Sequence, residues 1–249
     1  MNLKFLGTAD SGGIPSHNCR CKICQEYRQN NKINLATCAY IECANDEIIL
    51  LDAGIENIST IFDGKKINSI FLTHFHADHV LGLLRLRYSS DEIICYHPKD
   101  NAGFANLFKH SKAITYKENT PFKPIHVNGL TFIPIPLKHS KNTTGYIIKD
   151  KTKTIAYLTD CAEISDESMK FLLLYEFDEC YIDACFAPNF TNGNHLNYEE
   201  ATIILDKINA KKSYFIHSSH FTFEYIRKNN VHLKYQYKHP STSVTTYNF

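Results

Sequence analysis

The segment Thr73-His74-Phe75-His76-Ala77-Asp78-His79 places three imidazoles and a carboxylate within six residues. These are the side chains that hold divalent metals such as zinc or manganese, and a metal so held can activate water for hydrolysis. His74 and His76 stand two apart, so in extended backbone both rings project to one side. Asp78 and His79 can swing in as the chain turns into a helix. The spacing differs from the His-Glu-x-x-His pattern, which uses positions i and i+4 of a helix, so a helical protease site is not indicated. Taken singly, Asp78 reads as a helix cap; four such residues together read as a metal site.

A second cluster has different chemistry. Cys19, Cys21 and Cys24 also fall within six residues, while the other six of the nine cysteines are dispersed. Met1 to Thr8 has one cation and too short an apolar stretch for a secretory signal, so the expectation is a cytoplasmic protein without a disulfide framework. Three thiolates are one short of a closed structural zinc site. His220, three residues after His217, is the candidate fourth donor, and it would tie the N-terminal loop to the strand ending at His217. Free thiols are the alternative.

The elements that must position these residues follow from apolar patterning. Strands are expected at Leu3 to Gly7, Thr37 to Cys43 and Glu47 to Leu51, the last two joined by a turn at Asn45-Asp46. Ile67 to Thr73 reads as a buried strand that runs into the histidine-rich segment. A short helix is expected over Val80 to Leu86 with Asp78 as its cap, although Gly82 costs a helix interior about 1 kcal/mol. Further strands are expected at Glu92 to Tyr96, Leu130 to Pro136, Thr144 to Lys149, Thr154 to Thr159, Cys180 to Ala184 and Ser213 to Ile216. Helices are expected at Ser165 to Leu174, capped by Ser165 or Asp166, and at Tyr198 to Ile208. His74, Asp160 and His217 then lie at the carboxyl ends of three strands, where open α/β sheets place their sites.

The chain has 249 residues, 27 basic and 26 acidic side chains and a hydrophobic content of 43%, as expected of an ordinary globular domain. The charges are mixed, so there is no basic tail for nucleic acid or a membrane. Apolar runs fall far short of the roughly 20 residues of a membrane span.

His-x-His-x-Asp-His after a hydrophobic strand resembles the signature of the metallo-β-lactamase superfamily. The resemblance implies one α/β domain over residues 1–249, an αββα sandwich of two mixed β-sheets flanked by helices, with two divalent catalytic metals, manganese or zinc. It further implies that His74, His76 and His139 hold one metal, that Asp78, His79 and His217 hold the other, and that Asp160 bridges them. Asp52, in Leu50-Leu51-Asp52-Ala53-Gly54, also matches a superfamily motif and is expected to orient a ligand imidazole or organise the loop.

The cysteine cluster, with Gly7-Thr8, Gly12-Gly13 and Pro15 ahead of it, is similar to the PhnP-like phosphodiesterases of the carbon-phosphorus lyase pathway. His139-Ser140-Lys141, Asn194-His195 and the paired His217 and His220 extend the likeness. It implies one structural zinc on Cys19, Cys21, Cys24 and His220, and a catalytic centre that opens a five-membered cyclic phosphate. The implied substrate is 5-phosphoribosyl 1,2-cyclic phosphate, with nucleoside 2′,3′-cyclic phosphates as relatives. In that reading a metal-activated water attacks phosphorus beside Asp78, and His195 is the general acid. Leu196-Asn197 departs from the more polar segment usual there. A distal phosphate needs cations, and Lys141, Arg85 and Arg87 are the nearest in sequence, with none assigned. The expected partner is thus a small cyclic phosphate, with no membrane and no stable nucleic acid, and with a homodimer left open.

Other branches remain open as alternatives. A tRNA 3′-end nuclease needs a basic arm that is not evident, a PqqB-like accessory protein has a similar cysteine cluster in a longer chain, and a non-catalytic scaffold would not need a complete ligand set.

Overall fold

The computed structural model describes residues 1–188, 190 and 193–241. Within them two seven-stranded sheets lie face to face, one built by each half of the chain. The first half contributes β1 (Leu3–Ala9), β2 (Leu35–Ala36), β3 (Cys38–Glu42), β4 (Ile48–Leu51), β5 (Ile67–Phe71), β6 (Ile93–His97) and β7 (Ile114–Glu118), in spatial order β2-β1-β3-β4-β5-β6-β7. The second contributes β8 (Ile125–Val127), β9 (Leu130–Leu137), β10 (Thr143–Lys149), β11 (Thr154–Leu158), β12 (Glu179–Asp183), β13 (Lys212–Ile216) and β14 (Gln236–Tyr237), in the reverse order β14 to β8. Helices α1 (Lys22–Gln29), α2 (Ile58–Ile61), α3 (Ala77–Val80), α4 (Leu83–Leu86), α5 (Asp166–Leu172), α6 (Tyr198–Ile208) and α7 (His220–Lys228) complete the described elements.

The two-residue period of each strand sorts its side chains into separate cores. In β4, Ile49 and Leu51 face the other sheet, whereas Ile48 and Leu50 face outward to α2, α3 and α4. In β11, Ile155 and Tyr157 enter the same inter-sheet core with Phe71, Phe132 and Tyr146, whereas Ala156 and Leu158 pack toward α5 and α6. The result is the four-layer αββα sandwich expected from the family likeness. Both sheets are mixed, because β4 to β7 and β11 to β14 run parallel while the remaining pairs are antiparallel, except for the short parallel edge pair of β1 and β2.

Helix caps follow from local chemistry. Asn197 accepts hydrogen bonds from the amides of Glu199 and Glu200, and the Glu200 carboxylate accepts one from the Asn197 amide, a reciprocal box that starts α6. Ser165 caps α5 through the Ser168 amide.

The structure departs from the sequence reading in several places. The helix expected over Val80 to Leu86 is divided into α3 and α4 at Gly82, where a Cβ would lie 2.7 Å from the carbonyl oxygens of Ala53 and Ile55. Asp78 does not cap it: His76 holds the cap position and makes no side-chain cap bond. Asn45-Asp46 falls within a 3-10 turn over Ala44–Asp46 rather than a tight hairpin. Helices α1, α2 and α7 and strands β2, β7, β8 and β14 were not expected. No described helix is long and apolar enough to cross a membrane.

Candidate metal centre

The donors meet at the carboxyl ends of the strands, in the cleft between the two sheets. The loop after β5 supplies His74 and His76, the short helix α3 that follows supplies Asp78 and His79, and single residues after β9, β11 and β13 supply His139, Asp160 and His217. Donor atoms of His74, His76, His139 and Asp160 lie within 4.8 Å of one another, as do those of Asp78, His79, Asp160 and His217, so Asp160 belongs to both groups. Its Oδ2 is 3.3 Å from the Nε2 of His79 and of His217, and 3.8 Å from the Nε2 of His74 and of His139. Asp78 Oδ2 stands 3.5 Å from His79 Nε2 and 3.6 Å from His217 Nε2.

In three of the rings the outward nitrogen has a partner that decides which nitrogen faces inward. His79 Nδ1 donates to Asp52 Oδ2 at 2.8 Å, and His74 Nδ1 donates to the Thr73 hydroxyl at 3.0 Å. His139 Nδ1 donates to the Asn194 carbonyl at 2.7 Å. All three rings therefore present Nε2 to the centre. His76 is turned the other way, its Nδ1 lying 2.8 Å from His74 Nε2 and 3.1 Å from His139 Nε2.

Buried Asp52 is itself fixed by the Thr73 amide at 2.7 Å and the Thr73 hydroxyl at 3.0 Å. It adopts a left-handed backbone (φ 61), as His217 does (φ 59). Such conformations are costly outside glycine and collect at functional sites. Gly54 lets this loop touch the donor segment, since a Cβ there would fall 1.5 Å from the Asp78 carbonyl oxygen.

Three observations test whether divalent ions fit. First, His79 Nε2 and both ring nitrogens of His217 are buried without a well-formed hydrogen bond, despite the carboxylates 3.3 to 3.6 Å away; an uncompensated polar atom of this kind is expensive unless something binds it. Second, those separations match the donor edges of a tetrahedral ion with ligand distances of about 2.0 to 2.2 Å. Third, the charge pattern is that of a cation site. Burial alone would raise Asp78 and Asp160, yet His79 and His217 hold both carboxyls below their usual range. Burial likewise opposes protonation of His79 and His217, but Asp160 with its neighbouring carboxylates outweighs it and draws both well above an ordinary histidine. His74, His76 and His139 are lowered, chiefly by burial. The donors fit divalent ions.

His195 lies against this centre. Its ring stacks on His217 with centroids 4.8 Å apart and meets the His139 ring edge-on at 4.8 Å. Its Nδ1 donates to Asp183 Oδ2 at 2.7 Å. Burial would lower His195, but Asp183 raises it. Asp183, at the end of β12, is anchored by the amides of Cys161 and Cys185 at 2.9 and 3.0 Å. The sequence reading missed Asp183, Thr73 and the Asn194 carbonyl. Asp183 carried one signal, because it ends a strand on the same edge as Asp160 and His217.

The cysteine cluster forms a separate donor set. Cys19, Cys21, Cys24 and His220 bring their donor atoms within 4.8 Å of one another. The sulfurs of Cys19 and Cys21 are 3.6 and 3.5 Å from His220 Nδ1, close to the edge of about 3.5 Å that tetrahedral zinc with sulfur and nitrogen ligands requires.

A cleft of about 420 Å³ bordered by Ser11, Gly54, His76, Asp78 and Leu81 opens onto the centre. A larger depression of about 550 Å³ lies beside Lys65, Arg85 and Tyr88 at the starts of β5 and β6, away from every donor histidine. Arg85 is thus turned away from the centre, whereas Lys141 pairs with Asp100 at 3.2 Å, two residues beyond His139.

Comparison with known proteins agrees with this geometry. A family model, the beta-lactamase superfamily domain, matches residues 48–218. The chain is 26% identical over 248 residues to an octanoyltransferase of Porphyromonas gingivalis, covering 88% of this chain and 46% of that protein, so it spans about half that relative's length. It is 24% identical over 206 residues to coenzyme PQQ synthesis protein B of Methylobacterium radiotolerans, covering 67% of each. Among solved structures, a diphosphatase from the PhnP family superposes with a TM-score of 0.79 at 25% identity, over 96% of this chain and 95% of that one. Zinc-bound PqqB from Methylobacterium extorquens, with a TM-score of 0.70 at 19% identity over 88% of each chain, shares the fold. Because the family match covers most of both sheets and every donor from His74 to His217, the chain belongs to the beta-lactamase superfamily and has the metallo-β-lactamase fold.

Proposed function

We propose that the chain is a metal-dependent phosphodiesterase that opens a ribose cyclic phosphate, either 5-phosphoribosyl 1,2-cyclic phosphate or a nucleoside 2′,3′-cyclic phosphate. One observation carries the reading: a carboxylate-fixed imidazole, His195 on Asp183, stands against both donor groups that share Asp160. Two divalent ions, zinc or manganese, held by His74, His76 and His139 and by Asp78, His79 and His217 across Asp160, would supply Lewis acidity and an acidified water.

The rest is the work of the chain's own groups. Asp52, Thr73 and the Asn194 carbonyl hold three rings in the tautomer that faces the centre. Asp183 keeps a proton on His195 Nδ1 and favours the doubly protonated ring, leaving Nε2 to protonate the ribose oxygen as its bond to phosphorus breaks. Retention of the proton by His195 until that step is what the buried Asp183 carboxylate secures. The likeness to the PhnP-family diphosphatase supports this class. The likeness to coenzyme PQQ synthesis protein B supports a second reading, an accessory protein on the same metal centre.

The test is a substrate panel. Purified, metal-replete protein is expected to hydrolyse a generic phosphodiester, a ribosyl 1,2-cyclic phosphate and 2′,3′-cyclic nucleotides, and His76→Ala nearly to abolish all three. Protein inert on every phosphodiester but active on a thioester or lactone overturns the reading.

A further inference from the structure

The two donor sets are joined by four residues. His217 belongs to the centre between the sheets and His220 to the cysteine cluster, with only Ser218 and Ser219 between them. His217 is held with φ 59, in the left-handed region, so its ring stays in place only if the following backbone is fixed.

That backbone is gripped from two sides. The end of β1 takes one: the Ser218 amide donates to Thr8 O at 2.9 Å and the Asp10 amide donates to Ser218 O at 3.0 Å. Cys185 takes the other: its carbonyl accepts from the Ser219 amide at 3.3 Å and from the Thr222 hydroxyl at 2.6 Å. The chain that leaves β1 at Ala9 continues through Ile14, paired with Asn34, to Cys19, Cys21 and Cys24. An ion on Cys19, Cys21, Cys24 and His220 therefore closes a ring that runs from Thr8 through the cysteines to His220 and back through Ser218 to Thr8.

We infer that filling the cysteine cluster sets the affinity of one ion of the catalytic pair, the one on Asp78, His79, Asp160 and His217, and leaves the ion on His74, His76 and His139 unaffected. The asymmetry follows from connectivity: of the donors outside Asp160, only His217 is attached to the ring. The inference rests on the dinuclear reading above. Binding linkage makes the effect reciprocal, so the catalytic ion also tightens the cysteine site. His217 is the positioning link, and the cluster acts through it.

Metal competition on the whole chain tests this. Wild-type protein and Cys21→Ser are titrated with zinc against a chromophoric chelator, and ions held outside the cysteine cluster are counted and ranked. Serine retains the helix-cap function of Cys21, which accepts the Cys24 amide at 3.4 Å. Two such ions are expected in wild type. In the variant one is expected to bind about tenfold more weakly, within the usual range for coupled sites, and the other as before. Cys21→His, which keeps four nitrogen and sulfur donors, is expected to restore the weakened ion.

Weakening of both ions alike, or of neither, overturns the coupling. Fewer than two ions outside the cluster in wild type overturns the dinuclear reading instead. Should circular dichroism show the serine variant unfolded, cobalt titration of metal-depleted wild type decides. Thiolate-to-cobalt absorption and one ligand-field component of the histidine sites are expected to grow in together, more steeply than independent sites allow, and independent titration of the two signals overturns the coupling.

Discussion

The two sheets contribute to one centre in opposite ways. The first sends four donors from a single segment, His74 to His79, and braces them from the neighbouring β4 with Asp52. The second sends one residue from each of four strand ends: His139, Asp160, Asp183 and His217. A contiguous arm is set by local backbone geometry, whereas a dispersed arm is set by sheet register. Ile182 opposite Phe215, and Leu158 opposite Ile182, bring Asp160 and His217 level, with Asp183 one residue short of them.

Substitutions can break or sharpen that contrast. Asp160→Asn should have the largest effect, since one carboxylate serves both donor groups. Elemental analysis is expected to show loss of both catalytic ions, with activity down about a thousandfold; His74→Asn, on the contiguous arm, should release only one. His195→Gln should lower kcat about a hundredfold with metal content unchanged, and metal loss would make it a ligand instead of an acid.

Gly54→Ala strikes the support of the contiguous arm, where a Cβ has no room beside the Asp78 carbonyl. Denaturant unfolding is expected to show a loss of about 2 kcal/mol, and an unchanged midpoint would mean that the loop yields freely. Asp52→Asn should be mildest, weakening the ion on His79 about tenfold and leaving the ion on His74, His76 and His139 in place. Equal losses from both donor groups in that variant would show that Asp52 orders the whole loop rather than one ring.

The same contrast explains what the sequence disclosed. Strands β4, β5 and β10 to β13 were legible because buried apolar side chains fill both faces, and the contiguous donors because their spacing is itself a signature. Helix α1 was hidden, since it is only eight residues long, strongly polar, and buries only Cys24 among Lys22–Gln29. Edge strand β7 buries only Ile114 and reads as polar. His139, Asp160 and His217 were placed by resemblance, and Asp183 was passed over, because one polar residue after an apolar strand looks the same whether it binds, caps or merely ends the strand. Gly82 read as a weak helix residue because the carbonyls of Ala53 and Ile55 that exclude a side chain there come from another loop.

The pairing of Thr8 with Ser218, 210 residues apart, has a bearing on how the chain reaches this state. Contacts of such long sequence separation carry a loop-closure cost and slow the search for the native arrangement. During synthesis the first sheet can form with its histidine loop complete long before residue 217 leaves the ribosome, exposing the apolar face that the second sheet will cover. Refolding experiments should find strand formation in the N-terminal half ahead of closure at Ser218, and a chain ending before β8 should display half a catalytic centre on an aggregation-prone sheet.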